Sequence, residues 1–421
     1  MTAAPGQRGS VAGADNTLVD GRTGRRTTWS ELPPAPYDAP AAVVVEDSFS
    51  ALPFVWRHAG TGDELLLVAR SRMEPTLRDD LLGAGFDVVD GGSRDRPADS
   101  DRRDAEPGRL WLLTSGSTGR PKRIGHTLET LTTVAGAQAH RRWLCPYSPG
   151  TYAWWQVVTL SLGQPDQDLV VVDPADLETW TAVAREHEVT AASGTPTFWR
   201  QTIMRSGEEL ARVPLQQISL GGEPVDQAVL DQLREIFPMA RISWIYASSE
   251  VGASIVVHDG RAGFPVEWLD QVREGRPVIS VVDDELVISS PHHGAGLEGA
   301  VRTGDRVVVS DGRVQITGRL DSDEINVGGA KVSAGVVRGV LQAHPSVAWA
   351  KVSGRRAPLV GRVVVADVVR SGQNGQDGQD DAQLTEALTS WCQERLPDYG
   401  VPRRIRFLDE IPTKETLKSD V

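Results

Sequence analysis

The chain has 421 residues, of which 40% are hydrophobic and 24% are charged, and its 57 acidic and 44 basic side chains give a formal net charge of −13. At about 150 residues per domain, this length predicts two or three folded units, and the composition is ordinary for a globular protein. The negative charge argues against nonspecific binding to nucleic acid or to an acidic membrane, because both require a basic surface.

The N-terminal part of the chain has the pattern of an α/β protein. Residues 1–40 are rich in Gly, Ala, Pro and Arg, and we expect them to be loosely ordered. Apolar strand-like segments then alternate with amphipathic helix-like segments, which predicts mostly parallel sheets covered by helices. The predicted elements are strands at 42–45, 65–68, 109–113, 169–172, 189–192 and 217–220, and a helix at 177–187. Further on, apolar runs at 307–309 and 314–316 flank Asp311-Gly312, which predicts a β-hairpin.

A second unit begins near Asp321. Its predicted elements are strands at 325–327, 348–352 and 363–368 and helices at 334–343 and 384–396, with a Gly/Gln/Asp-rich loop at 371–383. We therefore expect an α/β fold in which a large N-terminal domain over residues 41–320 contains mostly parallel β-sheets sandwiched with helices. A small α+β C-terminal domain occupies residues 321–421.

Other sequence features indicate the cellular location. The two cysteines, Cys145 and Cys392, lie far apart and show no metal-binding spacing, which favours a reducing compartment. The chain shows no signal-peptide core, and no run approaches the ~18 apolar residues of a membrane helix. We expect a cytoplasmic protein that binds neither nucleic acid nor membrane.

The segment from Leu113 to Lys122 reads Leu-Thr-Ser-Gly-Ser-Thr-Gly-Arg-Pro-Lys and follows the strand predicted at 109–113. Its glycines allow a tight turn whose backbone N–H groups face an anion, and its hydroxyl groups and Lys122 add donors and a positive charge. The pattern predicts a polyphosphate site, although Arg123 stands where the commoner Gly-x-x-x-x-Gly-Lys loop has Ser or Thr. The segment resembles the phosphate loop of the adenylate-forming enzymes, which include acyl- and aryl-CoA ligases, adenylation domains of peptide synthetases and luciferases.

Five further segments follow in the order found in that family, so the resemblance covers residues 28–418. They are Trp244–Gly252, Arg302–Asp305, Gly318–Asp321, Ile325–Val332 and Ile411–Lys418. Between the phosphate loop and the first of these segments, Gly221-Gly222-Glu223-Pro224 places two glycines at a predicted strand end, where the backbone can approach a flat ring closely.

The resemblance implies a full set of nucleotide-binding residues. The implied ATP-binding residues are Thr114, Ser115, Gly116, Ser117, Thr118, Gly119, Lys122, Gly222, Glu223, Pro224, Tyr246, Ala247, Ser248, Ser249, Asp305 and Arg319. Among them Tyr246 would stack on adenine, and Asp305 would accept the two ribose hydroxyls. Glu250 would help to hold Mg²⁺, which prefers few carboxylates together with phosphate oxygens and water.

The resemblance also implies catalytic residues and a moving domain. Lys122, Thr118 and Lys418 would be catalytic, with Lys418 bridging the carboxylate and the α-phosphate. Asp321 would be the hinge of a mobile C-terminal domain. Gly328, Gly329 and Lys331 would line the tunnel for the thiol.

Several positions depart from the family pattern. Ala247 and Leu417 replace glycines, Ser249 and Lys414 replace threonines, and Pro149 stands near the place of a histidine in the acyl-pocket wall. The region before the phosphate loop is also short, because only 112 residues precede Leu113. The chain therefore resembles the smaller acyl-CoA ligases.

The acyl pocket is predicted from an aromatic segment at 146–155. Tyr147, Tyr152 and Trp155, with Gly221 and Gly222, are candidate pocket residues, and flat rigid walls favour an aromatic, cyclic or short acid. The alternative is that the tryptophans pack in the core. The adenine-loop lining offers no Asp to an α-ammonium, which disfavours an amino acid.

The expected activity is ATP- and Mg²⁺-dependent formation of an acyl-adenylate from a small carboxylic acid, followed by transfer to coenzyme A. One alternative is transfer to the phosphopantetheine of an acyl carrier protein, or to an amine. A second alternative, suggested by Leu417, Ala247 and the missing histidine, is a nucleotide-binding protein of the same fold without turnover. An assay of ATP–pyrophosphate exchange distinguishes the hypotheses of an active enzyme from the hypothesis of a nucleotide-binding protein without turnover.

Overall fold

The computed structural model describes residues 11–114, 121–134, 136–297, 299–357, 361–372, 380–414 and 416–419. Within these residues the helices are α1 (Ser48–Thr61), α2 (Pro75–Leu82), α3 (Leu128–Leu131), α4 (Tyr152–Gly163), α5 (Trp180–Glu186), α6 (Pro196–Leu210), α7 (Gln227–Ile236), α8 (Leu320–Asp323), α9 (Ala334–Gln342) and α10 (Asp381–Gln393).

The strands of the larger part of the chain are β1 (Thr17–Asp20), β2 (Arg26–Thr28), β3 (Ala41–Val45), β4 (Leu65–Ala69), β5 (Asp87–Asp90), β6 (Ser93–Asp95), β7 (Leu110–Thr114), β8 (Lys122–His126), β9 (Arg141–Cys145), β10 (Gln167–Val171), β11 (Ala191–Gly194), β12 (Gln217–Gly221), β13 (Arg241–Ser248), β14 (Gly252–Val257), β15 (Phe264–Pro265), β16 (Val278–Val282), β17 (Glu285–Ser289), β18 (Ala300–Ser310) and β19 (Arg313–Arg319). The remaining strands are β20 (Glu324–Val327), β21 (Ala330–Ser333), β22 (Val347–Ala357), β23 (Gly361–Arg370) and β24 (Arg404–Leu408).

Two mostly parallel sheets dominate the N-terminal part. The first has the order β14-β13-β12-β11-β9-β10-β1-β2, and only its edge strands β14 and β2 are antiparallel to their neighbours. The second has the order β6-β5-β3-β4-β7-β8, again with antiparallel edge strands. Strands such as β3 and β4 are buried along their whole length, which explains their continuous apolar sequences. The predicted α/β class with mostly parallel sheets is confirmed.

A five-stranded antiparallel sheet, β15-β19-β18-β17-β16, follows. Its β18–β19 hairpin closes on the pair Ser310 and Arg313, and Asp311 and Gly312 have φ of 50° and 71°. Positive φ at both central residues is the mark of a type I′ turn, so the predicted hairpin is confirmed. The last strands form the hairpin β20-β21 and the sheet β22-β23-β24.

Two sequence expectations need correction. The loose order expected at the N-terminus is wrong for residues 11–40, because β1 joins the eight-stranded sheet and Trp29 is fully buried with its Nε1 donating to Ser161 Oγ at 3.1 Å. The helix expected at 177–187 is a 3-10 turn over Pro174–Thr179 followed by α5. Asp173 precedes that turn without capping it, and its carboxylate accepts instead from the amide of Ser48, the first residue of α1, at 2.9 Å.

The chain has two principal cores on either side of residue 321. The larger contains the buried tryptophans of the N-terminal part, and the smaller is built from β20–β23, α9 and α10. Leu417, from the C-terminal tail, belongs to the larger core. We interpret residue 321 as the domain boundary on this basis. Among the described residues, none of the helices combines the length and hydrophobicity that a membrane span needs.

Candidate active site

The carboxyl ends of adjacent parallel strands form the floor of the candidate site. β11, β12 and β13 run side by side, and they are followed by Thr195, Gly222 and Ser249 respectively. Carboxyl ends of parallel strands meet at one edge of a sheet, where α/β proteins bind ligands. The segments that sequence analysis assigned to adenine and to phosphate are thereby brought together.

The phosphate loop is described only at its two ends. Thr114, the last residue of β7, pairs in register with Lys122, the first residue of β8. The predicted residues Ser115, Gly116, Ser117, Thr118 and Gly119 lie outside the described residues. Thr114 and Lys122 therefore lie side by side at the end of the β7–β8 pair in the second sheet.

Lys418 lies at the carboxyl end of β12. A β-carbon built on Gly222 would stand 3.0 Å from Lys418 Cε and 3.4 Å from its Nζ. The lysine side chain still reaches solvent, but the surrounding protein removes enough water to lower its pKa, which Lys414 lowers further and Glu223 and Asp305 raise. Two residues more than 100 positions away from Lys418 thus supply the carboxylates that favour its charged form.

The tail that carries Lys418 is folded tightly. The Lys414 amide donates to Lys418 O at 2.8 Å, and the Leu417 amide donates to Lys414 O at 2.9 Å. Leu417, where the family has glycine, adopts φ of 61° and is only 3% exposed. A left-handed Leu costs roughly 1–2 kcal/mol, and burial of its side chain contributes about 1.5–3 kcal/mol, so the burial offsets the strain.

Asp305 is held between a tyrosine and an arginine. The Tyr246 hydroxyl donates to Asp305 Oδ2 at 2.6 Å, and Arg319 Nη1 donates to Asp305 Oδ1 at 3.1 Å and to Thr303 O at 2.7 Å. Burial, and then the Asp305 charge, raise the pKa of Tyr246. Three residues that the resemblance assigned to ATP, namely Tyr246 to adenine, Asp305 to the ribose and Arg319 near the ribose or phosphate, therefore form one hydrogen-bonded group.

Glu250 follows β13 in a turn that neighbouring segments hold in place. Its carbonyl accepts from the Gly294 amide at 2.9 Å, and the preceding carbonyl, of Ser249, accepts from His126 Nε2 at 2.7 Å. His126 is 1% exposed, and its burial lowers its pKa. Because the Ser249 carbonyl can only accept, Nε2 of the ring carries a proton. His126 was missed in the sequence because nothing there links β8 to the turn after β13.

The aromatic segment is divided between core and site edge. Trp154 and Trp155 are fully buried and pack edge to face at 5.1 Å, and Trp154 Nε1 donates to Ser48 Oγ at 2.6 Å. Tyr147 is buried, and its hydroxyl shares a hydrogen bond of 3.0 Å with Ser193 Oγ. Tyr152 is half-buried, and its hydroxyl lies against the backbone of Gly252. The role of these residues, with Gly221, in an acyl pocket stays a prediction.

The predicted hinge and thiol-tunnel residues lie on the small domain. Asp321 is exposed within α8, and Gly328 and Gly329 form the exposed turn of the β20–β21 hairpin with φ of 59° and 94°. Lys331 in β21 pairs with Glu324 at 3.1 Å. The hinge role and the tunnel role both stay predictions.

Sequence profiles of known families match most of the chain. The profile of the AMP-binding enzyme family matches residues 43–299, and that of the AMP-binding enzyme C-terminal domain matches residues 339–418. The predicted resemblance to adenylate-forming enzymes is confirmed by these two matches.

Curated relatives are distant in sequence. A 2-succinylbenzoate–CoA ligase of Geobacillus kaustophilus is 27% identical over 346 residues, covering 73% of this chain and 66% of the relative. A vibriobactin-specific 2,3-dihydroxybenzoate-AMP ligase of Vibrio cholerae is 25% identical over 371 residues, covering 77% of this chain and 65% of the relative. The match thus spans slightly less than two thirds of each relative's length.

Solved structures share the fold over nearly the whole chain. The anthranilate CoA ligase AuaEII in complex with anthranoyl-AMP superposes with a TM-score of 0.73 at 16% identity, over 98% of this chain and 94% of the other. The amide bond synthetase McbA from Marinactinospora thermotolerans superposes with a TM-score of 0.71 at 19% identity, over 97% and 96%. At these identities the likeness establishes the fold alone.

Proposed function

Because the chain belongs to the AMP-binding enzyme family, we propose that it activates a carboxylic acid with ATP to form an acyl-adenylate and pyrophosphate, and then transfers the acyl group to the thiol of coenzyme A. The observation that carries the proposal is the placement of Lys418 over Gly222, beside Glu223 and within the electrostatic reach of Asp305. A lysine held by a C-terminal tail at the nucleotide end of the sheet is positioned to neutralise charge that develops on the α-phosphate.

The chemistry of adenylation is mostly positional and electrostatic. The acid carboxylate attacks the α-phosphorus, a new C(O)–O–P bond forms, and the bond to pyrophosphate breaks. Lys418 would orient the carboxylate and offset its negative charge, Lys122 would bind the departing pyrophosphate at the base of the phosphate loop, and Asp305 would accept the ribose hydroxyls. Holding the reactants in this geometry removes much of the entropic barrier.

The carboxylate of Glu250 fits the role of a protein ligand for a magnesium ion that arrives with the nucleotide. Among the described residues, no group of three or more His, Cys, Asp or Glu could hold a metal by itself. Mg²⁺ bound with nucleotides needs only one or two carboxylates, because phosphate oxygens and water complete its shell. When bound it would neutralise phosphate charge, and Glu250, fixed by the backbone contacts of its turn, would hold it.

The substrate is proposed to be an aromatic, cyclic or short carboxylic acid. The names of two relatives and one structural neighbour refer to aromatic acids, namely 2-succinylbenzoate, 2,3-dihydroxybenzoate and anthranilate. Within the aromatic segment at 146–155, the half-buried Tyr152 supports a flat pocket wall for such an acid, whereas Trp154 and Trp155 are fully buried against each other. A cytoplasmic location fits a protein that draws on ATP and coenzyme A.

ATP–pyrophosphate exchange with a panel of carboxylic acids tests the proposal. We expect acid-dependent exchange in the presence of Mg²⁺, highest for aromatic or cyclic acids. Products formed with coenzyme A, a phosphopantetheinylated carrier protein and simple amines then identify the acceptor. A folded protein that binds ATP but shows no ATP–pyrophosphate exchange with any acid would favour the hypothesis of a nucleotide-binding protein without turnover.

A further inference from the structure

Glu223 makes contacts that a nucleotide-binding role does not explain. Its Oε2 accepts from the Thr197 amide at 3.0 Å. Its Oε1 accepts from Thr197 Oγ1 at 3.0 Å, from the Ser419 amide at 2.7 Å and from Ser419 Oγ at 3.0 Å. Both carboxylate oxygens are therefore used by protein donors, and Ser419 follows Lys418 directly in the chain.

The contacts of Ser419 cross between the two domains. Trp349 Nε1, from β22 of the small domain, donates to Ser419 Oγ at 3.1 Å. Thr197, near the start of α6, and Glu223, after β12, belong to the large domain. Trp349 is 1% exposed and Ser419 is 8% exposed, so this polar group lies within the interface and not on its rim.

The residue on the other side of Lys418 is fixed as well. Leu417 is buried in the large-domain core, and its carbonyl accepts from Thr195 Oγ1. Thr195 also caps α6, because its side chain accepts from the Phe198 amide at 3.0 Å. Lys418 is thus flanked by two anchored residues while its own side chain extends over Gly222.

We infer that Glu223 and Ser419 are positioning residues that fix Lys418 for adenylation and for no other step. With Thr195, Thr197 and Leu417 they form what we call the tail clamp. The inference rests on the proposed function and goes beyond it by giving Glu223 a role toward the lysine instead of toward ATP.

The arrangement has a direct mechanistic consequence. Glu223 and Thr197 belong to the large domain and Ser419 to the small one, so any rotation of the small domain breaks the two hydrogen bonds from Ser419 to Glu223 together. The clamp therefore favours the adenylation arrangement and contributes nothing once the domain has rotated. Weakening it slows acyl-adenylate formation and leaves the later thiol transfer intact.

The test uses Ser419→Ala and Glu223→Gln in the full-length protein. Ser419→Ala removes the three hydrogen bonds of the Ser419 hydroxyl, to Thr197, Trp349 and Glu223, and Glu223→Gln removes the charge that accepts one of them. Each change is expected to lower kcat for ATP–pyrophosphate exchange by about tenfold. The KM for ATP should change by less than about threefold, because the carboxylate of Glu223, which the family resemblance assigned to ATP, is instead occupied by donors from Thr197 and Ser419. Thioester formation from supplied acyl-adenylate should be unchanged. Ser353→Ala in β22 and Glu235→Gln on the exposed side of α7 are the matched controls.

The pH profile adds a readout that a purely structural role would not move. Glu223 and Asp305 favour the charged form of Lys418, and Lys414 opposes it. Removing the Glu223 charge should lower the Lys418 pKa, so the alkaline limb of the exchange profile should move to lower pH in Glu223→Gln but not in Ser419→Ala.

Amide hydrogen exchange of the tail makes the test independent of turnover. Both variants should speed exchange at residues 414–419 by about tenfold, while the controls should not. The inference would be overturned if the protection of the tail amides from hydrogen exchange were unchanged in both variants. A rise in the KM for ATP at constant kcat would also overturn it. A different result is a parent protein that shows no ATP–pyrophosphate exchange with any acid, while amide hydrogen exchange in the tail speeds up in both variants as expected. That result would contradict the proposed function and support the tail clamp.

Discussion

Lys418 and Gly222 are in such close contact that a β-carbon on the glycine would displace the lysine side chain. Its ideal β-carbon would lie 3.0 Å from Lys418 Cε, and its φ of 84° is unfavourable for any other residue. Gly222→Ala should push the lysine away from the carboxyl end of β12 and lower ATP–pyrophosphate exchange by about tenfold or more, as the loss of a preorganised charge does.

The control for this change is Gly92→Ala. Gly92 has φ of 98°, and a β-carbon there would meet no atom within 4 Å. The control therefore reproduces the backbone strain without the contact with Lys418. Equal losses of exchange in the two variants would assign the effect to general destabilisation, which melting temperatures measured on both would reveal.

Lys418 itself should act in only one half-reaction. Lys418→Ala is expected to lower acyl-adenylate formation by about 10²-fold, because a positioned positive charge is lost where negative charge develops. It should spare thioester formation from supplied acyl-adenylate, because rotation about Asp321 would carry the lysine away. Lys351→Ala, in β22, serves as the control. Equal losses in both half-reactions would contradict the two-state interpretation of the small domain.

The fold and the floor of the site could be predicted from the sequence. The six strands predicted before residue 221 are present with bounds that differ by at most two residues, because continuous apolar runs report strands buried on both faces. Gly222, Ser249 and Asp305 were also located, because they lie in short segments that resemble motifs of the family and such motifs are recognisable without tertiary information.

The tail contacts could not be predicted in this way. Glu223 and Ser419 are separated by 196 positions, and Thr195 and Leu417 by 222. Local patterns carry no information about such pairings. Leu417 illustrates the difficulty. In the sequence, a leucine in place of the family's glycine suggests a loss of activity. In the structure, Leu417 has a strained positive φ, and burial of its side chain offsets the strain.

Asp305 should determine recognition of the ribose. Its carboxylate accepts from Tyr246 and Arg319 and keeps further lone pairs for sugar hydroxyls. Asp305→Asn should raise the KM for ATP by about tenfold and reduce the preference for ATP over 2′-deoxy-ATP, because a charge-assisted hydrogen bond to the 2′-hydroxyl is lost. Steady-state exchange with each nucleotide measures both effects.

Asp311→Asn provides the comparison for this prediction. Asp311 lies in the exposed turn of the same hairpin, and Asn tolerates its positive φ. A KM for ATP that rises equally in the two variants would show that the sheet, and not the carboxylate, is responsible.

Tyr152 and Trp155 should respond differently to truncation. Trp155 is fully buried against Trp154, so Trp155→Ala should cost about 3–5 kcal/mol of stability. Tyr152 is half-buried at the start of α4, and Tyr152→Ala should allow longer acids, with shifts of ~1–3 kcal/mol per methylene in relative kcat/KM. Melting temperature and acid profile are measured on both variants. A large loss of stability in Tyr152→Ala with an unchanged profile would place this ring in the core as well.

Asp173 should make stability depend on pH. Its partial burial, and then the nearby charges of Asp47, Asp176 and Asp20, raise its pKa to about 6 from an ordinary value of 3.8, although the Ser48 amide opposes the shift. Between these two pH values the folded protein binds more protons than the unfolded chain, so this group stabilises most at low pH and the benefit is lost as pH rises through about 6. Asp173→Asn keeps an oxygen to accept from Ser48 and removes the charge, so its melting temperature should exceed the parent's by about 2–4 °C at pH 8 and by less at pH 5. The exposed Asp409→Asn should show no such trend. An advantage of Asp173→Asn that grows toward low pH would mean that the carboxylate is stabilised in its charged form.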